Sequence, residues 1–101
     1  MKWQQTDIPV RDKIIAAAVK VAERMPLHSV TRGRIAKKAD TAPSLVSYYL
    51  GTMDDMRKTI VERAVETNNL AVIGQALAAH HPGVKSVPDD IKQQALKALL
   101  A

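Results

Sequence analysis

The side chains whose types and spacing could do chemistry are hydroxyls, phenols and cations gathered between Thr31 and Thr52. Arg32, Arg34, Lys37 and Lys38 come first, and Ser44, Ser47, Tyr48 and Tyr49 follow closely. Cations and hydroxyls contact phosphate oxygens, serine hydroxyls also reach base edges, and an apolar side chain such as Leu45 can meet a thymine methyl. This is a recognition set for a polyanion. Bond-breaking chemistry is poorly served. Ser44 and Ser47 have no neighbouring general base, and no Gly-rich phosphate loop is present. Asp54 and Asp55 are consecutive, so on a helix they diverge. His80 and His81 are also adjacent, pointing about 100° apart on a helix, with no carboxylate pair at helical spacing beside them. They suit a helix end, where imidazoles meet the last carbonyls. No catalytic residue, cofactor or metal is expected.

The recognition set needs elements to hold it. Thr31 is a good N-cap, with Val30 and Ile35 at the N′ and N4 positions of a hydrophobic staple. The pattern predicts a short helix to about Ala39, with Ile35, Ala36 and Ala39 inward and the four cations outward. Asp40-Thr41-Ala42 makes a turn. Pro43, with no amide proton and a pre-set φ, opens a second helix to about Leu50. That helix is too short to stand alone and must be held by packing, through Val46 and Leu50. Pro43, Ser44, Leu45, Ser47 and Tyr48 then form an outward face. Tyr49 and Thr52 are placed to hydrogen-bond phosphates. A short helix with a presentable face, preceded by a basic one, has the layout of a helix-turn-helix DNA reader. The expected DNA-binding residues are Thr31, Arg32, Arg34, Lys37, Lys38, Pro43, Ser44, Leu45, Ser47, Tyr48, Tyr49 and Thr52.

Residues from about Arg11 to Ile60 resemble the N-terminal DNA-binding domain of the tetracycline-repressor family. The family pattern, T-x-x-x-I-A-x-x-A-G-V-S and then x-x-x-L-Y-x-[HY]-F-x-[SN]-K-x-x-L, follows a first helix with a paired apolar-alanine motif. Here these parts are IIAAAVKVAER, then Thr31 with Ile35-Ala36 and Ala39, then Ser44 to Thr52, closed by Asp54-Asp55-Met56. Departures are Asp40 for the turn Gly, Ala42 for the capping Ser, Ser47 for the helix Tyr, Leu50 for the Phe, and Met53 for the phosphate-touching Lys. The resemblance implies base-side contacts at Ser44, Leu45 and Tyr48 and a phosphate contact at Tyr49. Members of the family usually continue into a longer helical ligand-binding and dimerisation domain, whereas only about 45 residues follow Met56 here.

Composition agrees with a compact all-α domain. The chain has 101 residues, 47% of them apolar, with no Phe and one Trp, which suits thin helix-on-helix packing. There is no Cys, so disulfides and thiolate metal sites are excluded. No apolar run approaches about 18 residues, so no membrane span is expected. Met1 to Gln5 lacks an apolar h-region, so a cytoplasmic location is expected. The net charge is +5 and the pI about 9.8. Residues 1–63 hold 12 Lys/Arg against 7 Asp/Glu, while residues 64–101 hold 3 of each. All the surplus lies in the part of the chain that holds the helix pair, which favours an anionic partner.

In chain order, residues 1–7 read as an N-terminal arm in which Lys2 and Trp3 either reach DNA or pack on the domain. Helix one starts near Asp7 or Ile8, with Pro9 in its first turn and a stripe of Ile14, Ala18, Val21, Ala22 and Met25. Lys13, Lys20 and Arg24 lie off that stripe as a solvated face. Gly33, in the first turn of the next helix, could permit close approach of the backbone to a phosphate. Helix four starts at Thr52 or Met53 with a stripe of Met56, Ile60, Ala64 and Val65, and weakens at Thr67-Asn68-Asn69. Leu70 to Ala79 is helical again, His80 to Gly83 ends it, and a last helix spans Ile91 to about Leu100. The expected organisation is a helix-turn-helix DNA-binding domain over 8–56 and two or three C-terminal helices over 57–101. The expected function is a repressor acting as a homodimer on a near-palindromic operator in double-stranded DNA. Leu70, Ile73, Leu77, Ile91, Leu96 and Leu99 are the candidate dimer surface, although Ile91 to Leu99 could equally fold back to complete the core. Two or three short helices do not readily enclose a pocket of about 300 Å³ or more, so no small-molecule effector is expected. The alternative from another class is a protein-interaction or architectural module on the same fold.

Overall fold

The computed structural model describes residues 2–100, with side chains from residue 10 onward. Among the described residues there are six α-helices and no strand: α1 (Lys2–Ala22), α2 (Arg32–Ala39), α3 (Pro43–Leu50), α4 (Met53–Glu66), α5 (Leu70–Ala78) and α6 (Asp89–Leu100). Two 3₁₀ turns, Leu27–Ser29 and Pro82–Val84, sit in the connections. No helix among these residues is long and apolar enough to cross a membrane.

α1 is the spine, with α2, α4 and α5 all packed on it. Ile14, Ala18, Val21 and Ala22 are buried as their spacing predicts, and Met25, past the helix end, is half-buried. Ile15, Ala17 and Val19 are buried too, because helices cover α1 from more than one side. The N-terminal arm is corrected: residues 2–7 are helical and α1 begins five residues before the expected capping position at Asp7. Lys and Gln are good helix formers, so Lys2, Gln4 and Gln5 support the extra turns. Pro9 lies inside the helix and removes one amide from its ladder. The roles weighed for Trp3 lie outside the described side chains.

α2 begins where its cap dictates. The Arg34 amide donates to the Thr31 hydroxyl at 3.3 Å, and both staple residues, Val30 and Ile35, are fully buried. Pro43 opens α3, and Thr52 opens α4.

α2, α4 and α5 stop in the same way. Each is followed by a residue in the left-handed region: Asp40 at φ 57°, Asn68 at φ 54° and His80 at φ 54°. The next amide in each case bonds back five residues, Thr41 to Ala36 at 2.9 Å, Asn69 to Ala64 at 2.8 Å and His81 to Ala76 at 2.9 Å. Inner bonds run from Asp40 to Lys37, Asn68 to Val65 and His80 to Leu77. These are three Schellman closures built without glycine. Asn69 also caps α5, accepting from the Val72 amide at 3.2 Å while donating to Glu23 at 2.7 Å.

The C-terminal stripe turns mostly inward. Ile73 is buried, Leu70, Leu77 and Ile91 pack half-buried against the core, and Leu99 is also half-buried. α6 lies on α5 where Gly74 meets Ala95: a Cβ on Gly74 would stand 2.7 Å from the Ala95 carbonyl oxygen. The candidate dimer surface therefore shrinks, because α5 spends its apolar face within the chain. Leu96 and Leu100, one turn apart on α6, stay exposed.

Candidate nucleic-acid interface

α3 is anchored by the two residues its spacing singles out, Val46 and Leu50, both buried. Its far end is fixed by backbone chemistry that sequence reading missed. Gly51 sits at φ 78°, ψ −143°, a conformation open essentially to glycine alone. A Cβ there would lie 2.7 Å from the Asp55 carboxylate. That carboxylate accepts from the Thr52 amide at 3.2 Å, and the Asp55 amide donates to the Thr52 hydroxyl at 3.1 Å. The reciprocal capping box thus ties the end of α3 to the start of α4. The S/T-x-x-D spacing of Thr52 and Asp55 is the signal that could have found it.

The outward face of α3 is formed largely as read. Pro43, Ser44 and Tyr48 are exposed, Tyr48 at 73%, while Leu45, Ser47 and Tyr49 are half-buried. The Tyr48 and Tyr49 rings meet edge to face, with centroids 5.0 Å apart and planes at 86°. Ala42 gives α3 no capping hydroxyl. The Thr31 and Thr52 oxygens serve as cap acceptors, and each hydroxyl retains its proton as a donor.

The α2 cations divide. Arg34, Lys37 and Lys38 are exposed, and none is in an ion pair; among the described residues the ion pairs are those of Arg63, with Asp12 at 3.6 Å and Glu66 at 3.8 Å. Arg32 is turned inward instead. Its Nη2 donates to the Gly51 carbonyl at 3.1 Å, bridging the start of α2 to the end of α3, while its Nε is buried with no partner. Arg32 therefore belongs to the scaffold that sets α3 against α2.

The chain matches no family model, no curated protein and no solved structure. The site rests on its own geometry.

A second concavity lies away from α3. Asp54, Arg57, Lys58 and Glu62 of α4 and His81-Pro82-Gly83 border a groove of about 610 Å³. It is an open groove rather than an enclosed cavity, formed between elements some 20 residues apart in sequence, which periodicity does not reveal. Arg57 also donates to the His28 carbonyl at 3.1 Å, joining α4 to the loop after α1. His81 Nδ1 accepts from the Gly83 amide at 3.0 Å. Burial lowers the His81 pKa below 6.5, with the Asp54 carboxylate pulling in the opposite direction. His80 holds the left-handed stop of α5. Among the described residues no group of three or more His, Cys, Asp or Glu side chains is placed to hold a metal ion.

Proposed function

We propose that the chain is a sequence-specific DNA-binding transcriptional repressor whose α2–turn–α3 pair is a helix-turn-helix and whose α3 enters the major groove. The observation that carries the reading is the contrast across α3. Val46 and Leu50 are buried, while Pro43, Ser44 and the largely exposed Tyr48 project from the same eight residues. A helix so short presents its outer face to a groove only if its inner face is fixed, and Arg32, Gly51 and Asp55 fix it. Ser44 and Leu45 read base edges, Tyr48 and Tyr49 lie between bases and phosphates, and Arg34, Lys37 and Lys38 meet the backbone. The tetracycline-repressor pattern over residues 11–60 supports the same assignment, including Asp40, which adopts the left-handed turn conformation that the family's Gly would supply.

Two copies act together, pairing through the Leu96 and Leu100 face of α6. A symmetric pair sets two α3 helices about 34 Å apart and so calls for a near-palindromic operator. Repression follows where that operator overlaps a promoter.

The test is selection of bound duplexes from a random pool, followed by gel-shift competition against excess random DNA. A two-fold related consensus that survives competition supports the reading. Shifts abolished by random DNA identify an architectural binder, and no shift identifies an interaction module.

A further inference from the structure

The cations that sequence periodicity assigns to a solvated face of α1 do not stand apart from those of α2. Lys13, Ala16, Ala17, Lys20, Lys38 and Ala39 border one hollow. Lys20, Arg24, Met25 and Lys38 border a second, and Val21, Met25, Arg34, Lys37 and Lys38 a third. Lys38 lines all three, so the hollows are neighbours that follow one another along the α1–α2 seam as a strip. All six of its cations are exposed, and among the described residues none is in an ion pair. The one carboxylate on its border, Glu23, accepts from the Asn69 amide at 2.7 Å and offsets one of the six charges, leaving a surplus of five. On α1, Lys13 and Lys20 are seven residues apart, which keeps them on one face over about 10 Å of helix, and Arg24 follows two residues past the helix end.

Six unpaired cations on a floor of Ala, Val and Met, held on two packed helices, repel one another unless an anion is shared between them. We propose that this strip carries the phosphate contacts of α2 on to Lys13, Lys20 and Arg24, as a track that holds the backbone of duplex DNA without regard to sequence and lies outside the α3 reading face. The track rests on the DNA-binding reading, because it adjoins α3 through α2, yet Lys13, Lys20 and Arg24 play no part in reading bases. Duplex phosphate is the fitting anion because its charges recur along the length of the strip, about every 3.4 Å per strand.

Two variants of the full chain with equal change in net charge test the track. One neutralises it with Lys13→Gln, Lys20→Gln and Arg24→Gln; the other removes three distant cations with Lys85→Gln, Lys92→Gln and Lys97→Gln. Binding to a 30-base-pair duplex of random sequence is followed by fluorescence anisotropy from about 50 to 200 mM salt. The strip variant should lower the slope of log K against log salt by about 2–3, since each phosphate contact contributes about 0.9. The distant variant should leave the slope within about 0.5 of the parent. Equal slopes for the two variants overturn the track, leaving only net charge at work. Absence of duplex binding by the parent chain also overturns it, as would be the outcome if the strip served an acidic protein. The reading by α3 is judged separately, by preference for a selected operator over random duplex. Loss of that preference with a normal strip effect removes the reader and leaves the track standing, and the converse result removes only the track. Circular dichroism melts of both variants confirm that Gln, a good helix former, leaves the fold intact.

Discussion

Replacing Asp40 with Gly should stabilise the protein, by an amount the turn geometry sets. Asp40 lies at φ 57°, ψ 54°, the left-handed conformation, immediately after the last residue of α2. That conformation costs an L-residue about 1–2 kcal/mol, and Asp falls toward the low end because its short polar side chain can bond locally. Glycine removes the penalty but gives up about 0.5–1 kcal/mol through its freer unfolded chain. A carboxylate at a helix C-terminus also opposes the helix dipole, by about 0.3–1 kcal/mol at an exposed site, and Asp40 is exposed. The net expectation for Asp40→Gly is a gain of about 0.3–1.5 kcal/mol, combining these terms. For a domain of this size that raises the midpoint by about 4–8 °C per kcal/mol. Asp40→Asn removes the charge and keeps the tolerance for the left-handed region, so it should capture only the dipole part. Asp40→Ala should fall below Asp40→Gly by about 1 kcal/mol, since Ala has the Cβ penalty without the local bonding. Urea and thermal melts followed by circular dichroism give all three values. If Asp40→Ala proves as stable as Asp40→Gly, the residue is not left-handed and the account of the turn fails.

Three further perturbations probe other parts of the structure. Gly74→Ala sets a methyl 2.7 Å from the Ala95 carbonyl oxygen, so it should destabilise by about 1–3 kcal/mol in urea melts; a neutral result would mean that α5 and α6 do not meet there. His81, whose pKa burial holds below 6.5, favours folding in its neutral form. Its contribution is complete above pH 6.5 and is lost as pH falls through the lower folded value, because protonating Nδ1 also breaks the Gly83 amide bond. His81→Asn keeps an acceptor at the turn and should flatten that limb of the stability–pH curve, and an unchanged curve would assign the limb to other groups. In operator binding, Arg34→Ala should weaken all sequences about equally, whereas Leu45→Ala should change the preferred base at one position by about 1–3 kcal/mol. Identical behaviour of the two would erase the division between anchoring and reading residues.

The parts of the fold that sequence revealed are those fixed by chemistry within one turn. Thr31, Pro43 and Thr52 each start a helix through their own side chain or ring, and the starts of α2, α3 and α4 fall where these residues place them. Val46 and Leu50 are legible as the inner face of α3 because they are the one aliphatic pair four apart in so short a helix. Pro9 misled because proline most often marks a helix start, and here the residues before it are good helix formers that carry α1 onward. The fate of the Leu70–Leu99 stripe was illegible, since periodicity shows which face is apolar but not what covers it. Gly74 and Ala95 decide that, and their meeting depends on the path of the chain between them. In the candidate site, residue types pointed to Arg32 as a surface cation, whereas the packing of α2 against α3 sets its guanidinium on the Gly51 carbonyl. The adjacency of Lys13, Lys20 and Arg24 to Lys38 is likewise a property of helix packing, invisible along a single stripe.

The way α6 is attached has a consequence for how the molecule opens. α6 packs chiefly on α5, and its one fully buried side chain is Ala95, seated over Gly74. A helix that buries only Ala95 completely, with Ile91 and Leu99 half-buried, has less apolar area to lose on detaching than α4, so it should part from the rest below the global unfolding free energy. Its amide protons should exchange with solvent deuterium earliest among the α2–α6 helices, while those of α4, which buries Met56, Ile60, Val61 and Ala64, wait for the whole chain to unravel.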